Sequence, residues 1–103
     1  LDEARERTAL AAHLLVPSLK VQASGLHAWC SVPEPWTDAG FVRAAQLQGL
    51  AISPSSAFRP DGARRSRGFR LSLGQASNRR QLQSALRRIN QLVETPGTFA
   101  GAA

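Results

Sequence analysis

The residue best suited to ligand chemistry in this sequence is an arginine inside a short segment that resembles a strand. The segment from Gly68 to Gly74 alternates apolar and polar residues around Arg70, which is typical of a β-strand with one buried face. Phe69 and Leu71 would then face a core, and Arg70 the opposite side. A guanidinium held on a strand can bind a carboxylate or phosphate through two parallel hydrogen bonds. A solvated Arg70, or one paired with a local acid, is the alternative that spacing leaves open.

The other reactive side chains do not form a recognisable catalytic or metal-binding set. His13 and His27 are far apart in sequence, and Cys30 has no neighbouring thiol with which to bind a metal. Cys30 and His27 are three residues apart on one predicted strand and therefore face opposite sides, which argues against a nucleophile–base pair. No glycine-rich phosphate loop is present. We therefore predict no catalytic residue and no metal ligand in this chain.

Length and composition indicate a small folded domain. The sequence has 103 residues, 43% of them hydrophobic, and a net charge of +6 that comes almost entirely from arginine. This charge favours an anionic partner. With Cys30 as the single cysteine, no internal disulfide can form, and a reducing, cytoplasmic setting is expected. No run is long enough to span a bilayer and no signal-peptide pattern is present, so we expect no membrane association.

Periodicity and turn residues divide the chain into helices and strands in the order αββαββα. The predicted elements are a helix over 1–15, strands over 19–23 and 26–32 around a turn at Ser24-Gly25, a helix from Thr37 or Asp38 to Gln48 capped by Gly49, a strand over 50–53, the strand of Arg70, and a helix from Ser77 or Asn78 to Glu94. This order predicts an α+β fold, with a four-stranded antiparallel or mixed sheet and three helices mainly on one face.

The same patterns predict which side chains are buried and where the domain ends. The last helix has an apolar stripe at Leu82, Leu86, Ile89 and Val93 and an opposite face with Arg79, Arg80, Arg87 and Arg88. On the second strand, Leu26, Ala28, Cys30 and Val32 share one face, and His27, Trp29 and Ser31 share the other. We expect a single domain over 1–94, a long loop over 54–67 and a flexible tail over 95–103. The helix over 1–15 begins without a cap, as a truncated inter-domain helix would.

Several of these segments resemble one known family when taken together. They are Gly25 to Pro33 with Trp29 inside it, Trp36 to Gly49 followed by Leu50 to Pro54, the aromatic Phe58, and Phe69 to Leu73. The sequence from Gly25 to Val93, about two-thirds of the chain, resembles the small C-terminal domain of fold-type I pyridoxal-phosphate enzymes, the aminotransferase superfamily. It is most similar to the MocR-type regulators, in which an aminotransferase-like domain follows a GntR-type winged-helix DNA-binding domain.

The resemblance implies a function and a set of site residues. Arg70 matches the arginine that binds the substrate α-carboxylate, and His27, Trp29, Ser55, Ser56 and Phe58 would line the approach to it. The implied cofactor is pyridoxal 5′-phosphate, bound by a large domain of the same chain. The implied partners are that large domain, a second subunit in a homodimer, an amino-acid-like small molecule and, in a MocR-type regulator, DNA bound through the winged helix.

The sequence also departs from the family, and other functions stay open. Ser55 stands where the family commonly has glycine, and the Schiff-base lysine and other cofactor-binding residues of the large domain have no match; Lys20 lies outside any such motif. The chain alone is therefore expected to be catalytically silent. The parent protein could be a regulator or a catalytically active class I or II aminotransferase. A third alternative is an arginine-rich module that binds nucleic acid or an acidic protein.

Overall fold

The elements follow one another in the predicted order in a computed structural model of the protein, which describes residues 2–54 and 68–95. They are α1 (Asp2–Leu14), β1 (Gln22–Ser24), β2 (His27–Cys30), α2 (Asp38–Leu47), β3 (Ile52–Pro54), β4 (Phe69–Ser72) and α3 (Arg79–Val93), with a 3₁₀ turn (Pro17–Leu19) between α1 and β1. The predicted α+β class and the order αββαββα are confirmed. The predicted loop and tail lie outside the described residues, apart from Pro54 and Thr95.

The four strands form one sheet in the order β1-β2-β4-β3, and every neighbouring pair is antiparallel. Of the two arrangements that the sequence allowed, the antiparallel one is therefore correct. Strand β4 lies inside the sheet, with β2 on one side and β3 on the other. Arg70 therefore lies on a strand whose backbone pairs on both sides. This pairing restricts the movement of the Arg70 backbone, from which the side chain extends.

The helices and the apolar sides of the strands meet in one core. The predicted stripe of α3 is buried, and so are Phe69 and Leu71 on β4. Phe41 of α2 lies between two other rings, stacked on Phe69 at a centroid distance of 5.1 Å and edge-on to Trp36 at 5.2 Å. Aromatic pairs in these geometries add attraction beyond the area that they bury. The core therefore fixes the buried side of β4 and leaves its polar side facing away.

The N-terminal ends of α2 and α3 are set by capping residues that the sequence indicates, whereas the C-cap of α2 is Gln48, one residue before the predicted Gly49. The Thr37 hydroxyl accepts a hydrogen bond from the Gly40 backbone N–H at 3.0 Å. At α3, the Asn78 side chain accepts from the Gln81 backbone N–H at 2.9 Å, so Asn78 rather than Ser77 is the cap. Such bonds satisfy N–H groups that have no partner within the helix.

The predicted first hairpin is present, but its boundaries differ from the prediction. Leu19 belongs to the 3₁₀ turn rather than to a strand, and Lys20 after it has a φ of 48°, which interrupts an extended backbone. The turn residues are Gly25-Leu26 rather than Ser24-Gly25, because Ser24 pairs with His27. Leu26 is therefore 40% exposed on the turn and does not share the buried face of β2.

The strand predicted over 50–53 begins two residues later, at Ile52. The backbone N–H of Leu50 donates to the Ala45 carbonyl at 3.1 Å, which keeps Leu50 in the turn that ends α2. The side-chain amide of Gln46 then donates to the Ile52 carbonyl at 2.9 Å. Helix α2 is thus connected directly to the edge strand beside Arg70.

A buried arginine that the sequence analysis did not single out connects α1 to the end of β4. Arg7 is 7% exposed, and its Nη1 donates to the Leu73 carbonyl at 2.8 Å and to the Ala76 carbonyl at 2.9 Å. Its Nε donates to Glu3 at 2.6 Å, and Glu3 also accepts from Arg79 on α3. Hydrogen bonds from Arg7 first, and then from Arg79, hold the pKa of the Glu3 carboxyl below its usual value. These contacts fix the loop that leads from β4 into α3.

No helix within the described part of the chain is both long enough and apolar enough to cross a lipid bilayer.

Candidate functional site

Arg70 lies on the polar side of the sheet, as the alternation predicts. Phe69 and Leu71 on either side of it are buried in the core, whereas Arg70 and Ser72 are half-buried on the opposite face. Its backbone pairs with Trp29 of β2 and with Ser53 of β3. Side chains directly opposite one another in an antiparallel pair lie on the same face. The part of the Arg70 side chain nearest the backbone thus has an indole on one side and a hydroxyl on the other.

The next pair along the same face brings His27 beside Ser72. The rings of His27 and Trp29 have centroids 5.8 Å apart and are inclined by 56°. His27, Trp29 and Arg70, three of the residues that the sequence analysis assigned to one site, therefore occupy neighbouring positions on two strands. An imidazole, an indole and a guanidinium on one face offer hydrogen-bond donors and a flat apolar surface together.

A cavity of about 310 Å³ opens on this face of the sheet. Its polar lining comes from side chains on five parts of the fold, namely β2, α2, β3, β4 and the loop after β4: His27, Gln46, Ser53, Arg70, Ser72 and Gln75. We call it the Arg70 cavity. Its volume is at the lower end of the range for small-molecule sites, and its polar side chains other than Arg70 and His27 are neutral hydroxyls and amides. It is therefore suited to a small polar molecule with one anionic group.

Four polar residues that line this cavity, Gln46, Ser53, Ser72 and Gln75, were not proposed as site residues from the sequence, although alternation along β4 placed Ser72 on the same face as Arg70. Ser53 could have been identified, because it follows the buried Ile52 on the edge strand β3, faces the opposite side, and pairs with Arg70. Gln46 comes from the last turn of α2 and Gln75 from the loop after β4. No local pattern marks these two glutamines, because Gln46 reaches the cavity through the packing of α2 and Gln75 through the path of the loop after β4. Ser55, Ser56 and Phe58, which the resemblance placed at the approach, lie outside the described residues.

Cys30 lies on the opposite, buried side of β2 and has no role at the cavity. It is 4% exposed, and burial raises the pKa of its thiol to about 12. Because the thiolate is the reactive form, a thiol in this environment is a poor nucleophile. Its neighbour His27 faces the other side of the sheet, as the sequence predicts.

We expect Cys30 to resist alkylation in the native protein. A pKa of about 12 instead of 9.0 lowers the thiolate fraction roughly a thousandfold at mildly alkaline pH, and burial excludes the reagent as well. The rate with iodoacetamide, measured by mass spectrometry, should therefore rise steeply when urea unfolds the chain. Equal rates in the folded and unfolded states would show that Cys30 is accessible.

The charged side chains in the described residues have two different environments. Glu3 and Glu6 of α1 both form ion pairs with Arg79 at the start of α3. Further along α3, Arg80, Arg87 and Arg88 are exposed and form no ion pair with another described residue. Among the residues that the structure describes, no three His, Cys, Asp or Glu side chains come together as metal ligands would.

No protein-family model, curated protein or solved structure matches this chain. Function therefore has to be inferred from the placement of residues, first of all from the position of Arg70 on an internal strand at the wall of a polar cavity.

Proposed function

We propose that this chain is the small domain of a pyridoxal-phosphate-binding, aminotransferase-like protein and that Arg70 binds the carboxylate of an amino acid. The observation that best supports the proposal is the position of Arg70 on the internal strand β4, at the wall of a polar cavity. The proposed parent is a MocR-type transcriptional regulator of the GntR family, in which this domain senses the effector. The same domain of a catalytically active class I or II aminotransferase is the alternative.

The surroundings of Arg70 favour a small carboxylate as the ligand. A guanidinium presents two parallel N–H groups that match the two oxygens of a carboxylate. The hydroxyls of Ser53 and Ser72 and the amide of Gln75 line the same cavity, and each can donate a further hydrogen bond. Because β4 pairs on both sides, the backbone at Arg70 is held in place before the ligand arrives, and binding has to order the side chain alone.

This chain does not itself supply the residues that would hold pyridoxal phosphate. That cofactor is attached in such proteins through a lysine amine, and Lys20 is the only lysine in the sequence. Lys20 follows the 3₁₀ turn, is exposed, and is not among the described residues that line the Arg70 cavity. We therefore assign cofactor binding to a separate large domain of the full-length protein, and we assign only carboxylate binding to Arg70.

The remaining parts of the proposal follow from the family that the sequence resembles. The small domain would close over the large domain and exclude water from the bound amino acid. The parent would form a homodimer in the cytoplasm, and a regulator would bind DNA through a separate winged helix. An enzyme and a regulator would share the carboxylate contact and would differ in whether product forms after binding.

Replacing Arg70 by glutamine in the full-length protein is expected to weaken amino-acid binding while cofactor binding is kept. Loss of a bidentate, charged pair corresponds to an affinity loss of roughly 10- to 100-fold. The lysine variant Arg70→Lys should recover only part of the affinity, because an ammonium keeps the charge and loses the planar fork. Isothermal calorimetry with amino acids, alongside the cofactor absorbance of each variant, provides the measurement.

The matched control is Arg43→Gln, which removes an exposed arginine on α2 that does not line the cavity. It should leave amino-acid affinity unchanged. If Arg70→Gln binds amino acids as tightly as Arg43→Gln, Arg70 does not hold the carboxylate.

The arginines of α3 support a second candidate, a nucleic-acid-binding module. Arg80, Arg87 and Arg88 are exposed on this helix, and a basic surface of this kind could contact phosphates. Binding would then weaken steeply as salt is raised, with a slope set by the number of phosphate contacts. Tight, salt-dependent binding of duplex DNA by this 103-residue chain alone would favour the module over the carboxylate-binding domain.

A further inference from the structure

A second cavity, of about 320 Å³, lies between α3 and the turn that leads from α2 into β3. Its apolar floor includes Leu50, Leu71, Leu82 and Ala85, and its polar side chains include Gln75, Gln81, Ser84 and Arg88. We call it the Arg88 cavity. It shares Leu50, Ala51, Ser72 and Gln75 with the Arg70 cavity, and the hydrogen bond from the Ser72 N–H to the Ala51 carbonyl, 2.9 Å long, runs through the wall that they share.

The polar groups of this cavity are arranged along one side of α3. Ser84 and Arg88 are four residues apart, so their side chains are neighbours on one helix face. Gln81 lies one turn before Ser84, and its Oε1 accepts a hydrogen bond from the Ser77 backbone N–H at 3.0 Å. The side-chain NH₂ of Gln81 is therefore left as a donor. A guanidinium, a hydroxyl and an amide NH₂ consequently offer donors along one wall.

The charge of the side chains that line the Arg88 cavity indicates which ligands it can bind. Arg88 is the one charged side chain among the described residues that line the cavity, and it forms no ion pair with another described residue. By contrast, Arg79 on the same helix is paired with Glu3 and Glu6. An anionic group can therefore bind at Arg88 without displacing an acid of the described protein.

We propose that the Arg88 cavity is a binding site for a small organic carboxylate with a short apolar body. The carboxylate lies against Arg88 and Ser84, and the apolar part covers the half-buried side chains of Ala51, Ala76 and Ala85. Inorganic anions lack a group that buries the apolar floor and bind more weakly. The two cavities share part of their lining, but the charged residue is Arg88 in this one and Arg70 in the other, so the proposal does not depend on the role of Arg70.

The test is a titration of the ¹⁵N-labelled protein with hexanoate, followed by NMR chemical shifts, with hexanol and inorganic phosphate as comparison probes. Hexanoate should shift the amides of Ala76, Ser84 and Ala85, which line the Arg88 cavity and not the Arg70 cavity, in a saturable manner. Hexanol lacks the charge, phosphate lacks the apolar body, and each should bind at least about fivefold more weakly. If phosphate binds as tightly as hexanoate, the ligand does not need an apolar part, and the proposal is overturned.

Two variants of adjacent arginines give the matched comparison. Arg88→Gln should weaken hexanoate binding by about fivefold or more, whereas Arg87→Gln, which removes an exposed arginine outside the cavity, should not. Ala85→Leu fills the cavity and should abolish the shifts, and its thermal unfolding is measured to show that it folds. Equal binding by the Arg88 and Arg87 variants would overturn the proposal.

The outcome also separates this site from the proposed function. Shifts confined to His27, Trp29 and their neighbours, lost in Arg70→Gln and kept in Arg88→Gln, would place the carboxylate in the Arg70 cavity. That result would overturn the Arg88 site and support the role of Arg70. Shifts at Ser84 and Ala85 that persist in Arg70→Gln would establish the Arg88 site whatever the role of Arg70.

Discussion

Replacing Gly68 by alanine is expected to destabilise the fold by about 3 kcal/mol or more, a large part of the roughly 5–15 kcal/mol that stabilises a small domain. Gly68 precedes β4, is buried, and has a φ of +133°, a conformation that residues with a side chain rarely adopt. An added Cβ would lie 1.9 Å from the Cys30 carbonyl oxygen and 3.2 Å from the Ser31 Cα. Urea denaturation followed by circular dichroism measures the change in the free energy of unfolding.

The clash at Gly68 is expected to be costly because the atoms in the way are backbone atoms. Cys30 pairs with Phe69, and the Ser31 N–H donates to the Leu19 carbonyl at 2.6 Å. Neither residue can retreat without breaking these contacts. The matched control is Gly49→Ala, where φ is +82° but, apart from Gly49 and its two chain neighbours, no atom of the described residues lies within 4 Å of the added Cβ. It should cost only the backbone strain, about 1–2 kcal/mol. A similar loss in both variants would show that overlap with β2 contributes nothing.

Replacing Arg7 by methionine is expected to lower the free energy of unfolding by about 3 kcal/mol. Methionine fills much of the same space but leaves the carbonyls of Leu73 and Ala76 without the donor that Arg7 provides. A buried acceptor that loses its partner costs about 1–3 kcal/mol, and two acceptors are affected here. Chemical denaturation of the purified variant measures the loss.

The control for this prediction is Arg5→Met on the same helix. Arg5 is exposed, so its replacement should change stability by no more than about 0.5 kcal/mol. Arg7→Lys should be intermediate, because a single ammonium cannot reproduce the fork that reaches Leu73, Ala76 and Glu3 together. Equal stability of the Arg7→Met and Arg5→Met variants would contradict the role assigned to Arg7.

The parts of the fold that could be predicted are those where one strict period governs a whole element. Helix α3 repeats apolar residues at helical spacing, and β4 alternates every second residue, so their buried sides were identified correctly. The boundaries of β1 and β3 were wrong because single backbone interactions set them. The positive φ of Lys20 displaces the start of β1, and the bond from Leu50 to Ala45 delays β3. Neither interaction has a signal in the local pattern.

Some residues of the candidate site could likewise be predicted from the sequence, and others could not. Arg70, Ser72, His27 and Trp29 could be placed on one face from alternation, and their grouping follows from antiparallel pairing of β2 with β4. Gln46 and Gln75 could not, since they reach the cavity through the packing of separate elements.

The role of Arg7 could be predicted only in part. It lies four residues before Ala11 and eight before Leu15, on the buried stripe of α1. Its position could have indicated burial, but its carbonyl partners are 66 and 69 residues away in sequence. Local periodicity can therefore indicate that a side chain is buried without revealing which groups it contacts.

The two tryptophans give this protein two distinguishable optical reporters. Trp36 is 4% exposed and packs edge-on against Phe41, whereas Trp29 is half-buried beside Arg70 on the other side of the sheet. The sequence contains no tyrosine, so its intrinsic fluorescence comes from these two indoles. Emission from Trp36 is expected to follow the loss of the core, and emission from Trp29, which pairs with Arg70 without lining the cavity, is expected to respond to changes around Arg70. A Trp29→Phe variant separates the two signals, so folding and ligand binding can each be recorded without an attached dye.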